Sequence, residues 1–176
     1  MKRGLDWLEQ PISREHDRET FDCGVPALNL YLSRYARQNH LSGGAKTFVA
    51  AAPGELKAVL GYYSIAPGEI EFEKAPARLL KGHGHYDLPV FRLARLAVSR
   101  SQQGFGLGME LLAAAGLRAL SASADVGGVA LAIDAKDADV ARWYARFGAL
   151  PLLDDPLRLI LPLDAFATGA RIVGRR

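Results

Sequence analysis

The chain has 176 residues, of which 49% are hydrophobic and 23% charged, with a formal net charge of +3 and an isoelectric point of about 9.1. This length suits one domain over residues 1–176, with a basic tail at about 167–176. No run of 18 apolar residues occurs, and no apolar stretch follows the first basic residues, so we expect neither a membrane span nor a signal peptide. The lone Cys23 excludes an internal disulfide and is typical of a reducing cytoplasm, where we expect the protein to act.

A short strand is predicted over residues 5–12, and a helix follows it. Pro26 stands in the first turn of this helix, where its missing N–H costs little. Ser-Gly-Gly at 42–44 ends the helix. Apolar residues at helical spacing predict the buried face: Val25, Leu28, Leu32, Tyr35 and Ala36.

The next elements are a hairpin, a short helix and a loop. Strands are predicted over 47–52 and 56–65, because Pro-Gly-Glu between them is a turn sequence. A short helix is predicted over 76–81. The Gly-His-Gly-His sequence at 82–85 is a loop.

The second half alternates strands and helices. Strands are predicted over 91–98, 129–133 and 157–163. A helix from Leu107 to about Ser121 is apolar nearly all round, so we expect it to be well buried. The last helix, 137–147, has three candidate capping residues: Asp134 or Asp137 before it and Gly148 after it. This order predicts an α/β (α+β) fold with a mixed sheet and helices on its faces.

The most informative segment is the glycine turn, Gln103-Gly104-Phe105-Gly106-Leu107-Gly108, between the strand at 91–98 and the next helix. A helix start with unpaired N–H groups behind glycines is a natural phosphate cradle. A P-loop is excluded, because Met and Glu follow Gly108 instead of Lys and Ser or Thr. A dinucleotide fingerprint is weakened, because Met109 occupies its last glycine position, although Asp134 suits it. A tight turn without a ligand is the remaining alternative.

Arg95-Leu96-Ala97-Val98, followed by Gln103-x-x-Gly106-x-Gly108 and a helix, resembles the acetyl-CoA motif of the GNAT superfamily of N-acetyltransferases. The resemblance implies the GNAT fold, with an acetyl-CoA cleft between two splayed parallel strands. It implies acetyl-CoA as the co-substrate and no metal. It assigns the pantetheine arm to the backbones of Leu96, Ala97 and Val98. It assigns the pyrophosphate to the backbones of Gln103, Gly104, Phe105, Gly106, Leu107 and Gly108, while the side chain of Leu107 serves the core.

A second block, Arg-Trp-Tyr-Ala-Arg-Phe-Gly at 142–148, resembles the late helix of the same family, which ends in Tyr-x-x-Phe-Gly. By this resemblance, Tyr144 is the catalytic residue that protonates the departing CoA thiolate. A phenol is protonated at neutral pH and can donate. Tyr144 and Phe147 share a helix face, so a packing role is the alternative. We favour catalysis because the glycine turn accompanies the block.

From about residue 11 to residue 163 the chain resembles the toxin branch of this superfamily, found in type II toxin–antitoxin pairs. The resemblance rests on His-Asp-Arg at 16–18, Phe-Asp-Cys-Gly-Val-Pro-Ala-Leu at 21–28, Gly-Tyr-Tyr at 61–63, Leu-Ala-Arg-Leu-Ala-Val at 93–98 and Asp-Pro-Leu-Arg-Leu at 155–159. It implies acetylation of the α-amino group of aminoacyl-tRNA, which arrests translation. It also implies a homodimer and an antitoxin with a ribbon-helix-helix DNA-binding domain. An acetyltransferase for a small-molecule amine or a protein N-terminus is the alternative.

A tRNA would be held through its phosphates. The candidate tRNA-binding residues are Arg78, Arg92 and Arg95, with Lys81, Arg171, Arg175 and Arg176 as further candidates. Arg92 and Arg95 point to opposite faces of a regular strand, and a bulge between them would change this. No general base is evident, because all four histidines are interpreted as surface residues: His16, His40, His83 and His85.

Overall fold

Seven strands form one sheet in the order β1-β2-β3-β4-β5-β7-β6 in the computed structural model, which describes residues 6–167. The strands are β1 (Leu8–Pro11), β2 (Lys46–Ala52), β3 (Glu55–Ile70), β4 (Leu88–Val98), β5 (Ala130–Asp134), β6 (Leu150–Pro151) and β7 (Arg158–Pro162). The pair β4–β5 is parallel, whereas β1–β2, β2–β3, β5–β7 and β6–β7 are antiparallel. The predicted mixed sheet is thus confirmed.

The helices are α1 (Pro26–Leu30), α2 (Ala36–Ser42), α3 (Ala77–Leu80), α4 (Leu107–Val126) and α5 (Ala138–Ala145). Within residues 6–167, none of them combines the length and apolar character that a membrane span needs. The predicted basic tail lies outside the described residues except for Ala167, and so do the tRNA candidates Arg171, Arg175 and Arg176.

The chain divides into two units. The first unit comprises the described residues up to Ala66 together with Ala94–Ala114, and the second comprises Pro67–Leu93 and the described residues from Ala115 onward. The expectation of one domain stays a prediction.

In the first unit, the α1–α2 segment packs on the sheet through aromatic residues. Tyr62 on β3 is fully buried, stacks on Tyr31 at 6.3 Å between ring centroids and donates its hydroxyl to the Leu28 carbonyl at 2.7 Å. Tyr35, predicted on the buried face, is instead 53% exposed. The cause is a π-helical turn over Tyr31–Tyr35, in which the Ala36 N–H donates to the Tyr31 carbonyl. Because this wider turn contains one more residue than an α-helical turn, it shifts which residues face the core, so Tyr31 is buried and Tyr35 is exposed.

Helix α4 buries one face, so the prediction that it is well buried holds for that face only. The buried residues recur at helical spacing: Leu107, Leu111, Leu112, Ala115 and Ala119. Met109 is 51% exposed and Leu117 is also exposed. Because alanine occurs on both faces of the helix, the sequence alone does not distinguish its buried face from its exposed face.

In the second unit, β5 is paired on both sides. Phe91–Leu93 of β4 align in parallel with Leu131–Ile133, and β7 runs antiparallel along the whole of β5. Asp137 caps α5, because its carboxylate accepts the Val140 N–H at 2.9 Å. Asp134, the other candidate cap, ends β5.

The interpretation of all four histidines as surface residues is wrong for His16. Its side chain is buried, with Nδ1 accepting the Ser13 N–H at 3.1 Å and Nε2 at 2.9 Å from Gln10 Oε1. His40 is half-buried, and its Nδ1 accepts the Thr47 N–H at 3.0 Å. Burial is the main cause that lowers the pKa of both rings.

Candidate functional site

The glycine turn joins β4 to α4 within the first unit. Gly104 and Gly106 have φ angles of +82° and +92°, a region that favours glycine. A Cβ built on either glycine would have no heavy atom within 4 Å. The backbone is therefore free of crowding at both glycines, as the approach of a ligand to the turn requires.

The first backbone N–H groups of α4 lie ahead of its intrahelical hydrogen bonds. The Glu110 N–H donates to the Gly106 carbonyl at 3.2 Å. The N–H groups of Leu107, Gly108 and Met109 precede this bond and therefore have no intrahelical acceptor. Such donors, together with the positive end of the helix dipole, favour an anion. The side chain of Leu107 is buried, as expected, and fixes this end of the helix.

The strand before the turn is held closely by β3. A Cβ on Gly61 would lie 2.8 Å from the Ala97 carbonyl oxygen and 2.9 Å from Leu111 Cδ1, so only glycine allows this approach. The Ser99 N–H donates to the Leu60 carbonyl at 2.8 Å. Of the three predicted pantetheine contacts, Ala97 is buried, while Leu96 and Val98 are half-buried. These contacts fix the end of β4 from one side.

Asp22 and Cys23 are hydrogen-bonded to the loop that leads from β4 into the glycine turn, a contact that no sequence pattern predicted. Gln103 Nε2 donates to the Cys23 and Val98 carbonyls, each at 2.9 Å. The Arg100 N–H donates to the Asp22 carbonyl at 2.9 Å, and Arg100 Nε lies 3.4 Å from Asp22 Oδ2. Asp followed two residues later by Gly is a local turn signal, but no local pattern reveals its partners.

Tyr144 lies on α5 in the second unit and is 6% exposed. Its ring meets Trp143 edge to face at 4.8 Å, and Trp143 meets Phe147 at 4.9 Å. Within residues 6–167, the Tyr144 hydroxyl makes no hydrogen bond. Burial alone raises its pKa well above the usual range, so the phenol is protonated at neutral pH.

The three predicted tRNA-binding arginines have different surroundings. Arg95, in the first unit, lies 4.3 Å from the centroid of Tyr31 and donates to the Ala94 carbonyl at 2.9 Å. Arg92, in the second unit, pairs with Asp134, and Arg158 Nε lies 3.7 Å from the same carboxylate. Arg78 is exposed on α3. Arg158 was not among the predicted tRNA-binding residues. It lies opposite Asp134 because the antiparallel register of β5 and β7 pairs these two residues.

No protein-family model matches the chain. The tRNA-acetylating toxin of Mycobacterium tuberculosis is 35% identical over 150 residues, which are 85% of this chain and 88% of the toxin. AtaT complexed with acetyl-methionyl-tRNAfMet is 28% identical with a TM-score of 0.86, over 93% of this chain and 98% of that one. A tyrosine-to-phenylalanine mutant of AtaT, bound to the C-terminus of the antitoxin AtaR and acetyl-CoA, is 27% identical with a TM-score of 0.77, over 93% and 97%. The chain therefore belongs to the tRNA-acetylating toxins, acetyl-CoA-dependent acetyltransferases of the GNAT fold.

Proposed function

We propose that this chain transfers the acetyl group of acetyl-CoA to the α-amino group of an aminoacyl-tRNA and arrests translation as a type II toxin. The observation that carries the proposal is the open glycine turn at the start of α4, in a chain 35% identical to a tRNA-acetylating toxin. The turn supplies a site for the donor, and the relatives indicate the acceptor.

The donor binds through backbone atoms. The amides of residues 103–108 hold the CoA pyrophosphate. Two features support this: the N–H groups at the start of α4 have no intrahelical acceptor, and Gly104 and Gly106 are uncrowded. The backbones of Leu96, Ala97 and Val98 pair with the pantetheine arm as an added strand would. A dinucleotide at the same turn is disfavoured by the relatives, and comparing the binding of acetyl-CoA and NAD separates the two.

The transfer needs one acid and a neutral amine. The α-amine attacks the thioester carbonyl, the C–N bond forms, and a strand N–H near Val98 stabilises the oxyanion. The C–S bond then breaks, and Tyr144 gives its proton to the CoA thiolate. The proton lost by the amine leaves to solvent, from which Tyr144 regains its own. The adjacent ester makes this amine less basic than a lysine side chain, so no dedicated base is required.

Tyr144→Phe tests the catalytic step. We expect turnover to fall by about 10²- to 10⁴-fold while acetyl-CoA binding and folding persist. Tyr86→Phe is the matched control, because Tyr86 lies in the same unit and its side chain is largely exposed. Full turnover by a folded Tyr144→Phe protein would show that this tyrosine is a packing residue.

Cell-free translation with acetyl-CoA, followed by mass analysis of each aminoacyl-tRNA, tests the acceptor. We expect arrest together with an acetylated aminoacyl-tRNA. Unimpaired translation, with acetylation of a small-molecule amine or a protein N-terminus instead, would support the alternative acetyltransferase. Transfer from radiolabelled acetyl-CoA to each class of acceptor distinguishes these outcomes directly.

Arg78, Arg92 and Arg95 are proposed to contact tRNA phosphates. Replacing Arg92 and Arg95 together by glutamate should weaken tRNA acetylation strongly and reduce its salt dependence, with acetyl-CoA binding retained. Replacing both by lysine is the matched control, since it keeps the charge. An unchanged KM for tRNA in the folded glutamate variant would remove both residues from the footprint.

The proposed partners are a cognate antitoxin with a ribbon-helix-helix DNA-binding domain and a second copy of this chain. The AtaT mutant bound to the C-terminus of AtaR supports an antitoxin partner. Light scattering of the purified toxin, alone and co-expressed with its antitoxin, measures both associations. A monomeric toxin that copurifies with no antitoxin would contradict this part of the proposal.

A further inference from the structure

The Asp22 side chain organises the segment beside the glycine turn. Its Oδ1 accepts the Gly24 N–H at 2.8 Å and Asn29 Nδ2 at 3.0 Å, while Asn29 Oδ1 accepts the Cys23 N–H at 2.9 Å. The bond from the Gly24 N–H, followed by the bond from the Asn29 side chain, holds the pKa of Asp22 below its usual range, so the carboxylate is ionised at neutral pH. The segment therefore presents the Asp22 and Cys23 carbonyls in a defined arrangement.

The loop between β4 and α4 is fastened to this arrangement at three places. The Asp22 carbonyl accepts a hydrogen bond from the Arg100 N–H, and the Asp22 carboxylate forms an ion pair with the Arg100 guanidinium. The Cys23 carbonyl accepts a hydrogen bond from Gln103 Nε2. The same Gln103 amide also reaches back to the Val98 carbonyl, the last residue of β4. The side chain of Gln103 thus links the strand end, the turn and residues 21–29.

We propose that Asp22, Asn29 and Gln103 are positioning residues that hold the glycine turn in the conformation that binds the pyrophosphate. This inference rests on the proposed function. The three side chains are named the Asp22 clamp. They act through the backbone of residues 103–108 and do not themselves contact the ligand.

The geometry explains why a clamp is needed here. Gly104 and Gly106 are in the left-handed region, and a Cβ on either would meet no heavy atom within 4 Å, so side-chain packing does not hold these two positions. Glycine also has the largest backbone freedom to lose. Pre-organisation by the clamp removes part of that entropic cost from the binding step.

Coenzyme A binding, measured by calorimetry, tests the clamp in the full-length protein. Gln103→Met keeps the shape of the side chain and loses both donated bonds, and Asp22→Asn loses the charge that faces Arg100. We expect each variant to bind coenzyme A about tenfold more weakly. In both variants, the KM for acetyl-CoA should rise by a larger factor than that by which kcat falls.

Two controls separate positioning from general stability. S-acetylpantetheine lacks the pyrophosphate, so in both variants kcat/KM with this donor should fall less than kcat/KM with acetyl-CoA. Asp17→Asn is the matched variant, because Asp17 caps its own turn through Thr20 and Glu19 and touches no residue of the clamp. It should bind coenzyme A as the wild type does.

The outcomes are distinct. A folded Gln103→Met or Asp22→Asn protein with wild-type affinity for coenzyme A overturns the clamp, and either variant alone is sufficient. Equal losses with S-acetylpantetheine and acetyl-CoA overturn it as well, since that result indicates a general structural defect. Failure of the wild-type protein to bind coenzyme A instead contradicts the proposed donor site.

Discussion

Gly61→Ala is the sharpest test of how β3 supports the strand before the glycine turn. The new Cβ would lie 2.8 Å from the Ala97 carbonyl oxygen, 2.9 Å from Leu111 Cδ1 and 3.4 Å from Leu107 Cδ2. Both leucines are buried and the nearest atom is a backbone oxygen, so none of these groups can move away without a loss of stability.

The magnitude follows from two opposing effects. Overpacking of this kind costs about 1–3 kcal/mol. Alanine also restricts the unfolded chain, which offsets about 0.4–1 kcal/mol. We expect a net loss of about 1–2 kcal/mol in the free energy of unfolding. Weaker acetyl-CoA binding should accompany it, since Ala97 lies in the proposed pantetheine strand.

Urea unfolding followed by circular dichroism measures the loss. Gly44→Ala is the matched control, because Gly44 lies in the same unit, avoids the left-handed region and has no atom nearer than 3.9 Å to an added Cβ. That variant should be as stable as the wild type or more stable by up to about 1 kcal/mol. A Gly61→Ala protein as stable as Gly44→Ala would refute the close approach of β3 to β4.

Three further predictions concern stability. The lowered pKa values of His16 and His40 mean that the folded state binds fewer protons than the unfolded state. Their contribution to the free energy of unfolding is therefore present above pH ~6.5 and is lost as pH falls through the pKa values of the folded state. Urea unfolding measured from pH 7.5 to 5 should show this loss. A free energy of unfolding that does not change with pH over this range would contradict it. Asp137→Ala removes the α5 cap and should cost about 1 kcal/mol in urea unfolding, whereas no loss would mean that water replaces the cap. Thr47→Val leaves the buried Ser64 hydroxyl without its 2.6 Å partner and should cost about 1–3 kcal/mol, most of which adding Ser64→Ala should restore; additive losses would contradict that coupling.

The sequence was most informative where the signals are local. The strand, glycine turn and helix around residues 103–108 follow from glycine spacing and hydrophobic periodicity, and the structure has all three in order. Asp137 could be identified as a candidate cap because this signal is also local: its carboxylate accepts the N–H of a residue only three positions later. Interactions over a few residues leave a pattern that the sequence displays.

Long-range contacts left no such pattern. Gln103 and Cys23 are 80 residues apart, so their hydrogen bond could not be predicted from either neighbourhood. The burial of His16 depends on two partners that satisfy both ring nitrogens, and a lone histidine gives no sign of them. Tyr35 was misplaced because one π-helical turn shifts the helical phase, and no residue type specifies that turn.

The surroundings of Tyr144 favour an acid over a base. A tyrosine base would need a cation or a donor that stabilises the phenolate, and the structure gives Tyr144 neither among residues 6–167. Burial against Trp143 raises the pKa, so the hydroxyl keeps its proton at neutral pH and the resting side chain is an acid, not a base. An ordinary thiol has a pKa of about 8.5, below that of a phenol, so the departing thiolate takes this proton where the same burial disfavours the charge on sulfur as well. The burial that makes Tyr144 resemble a packing residue is therefore compatible with the single proton donation of the proposed transfer.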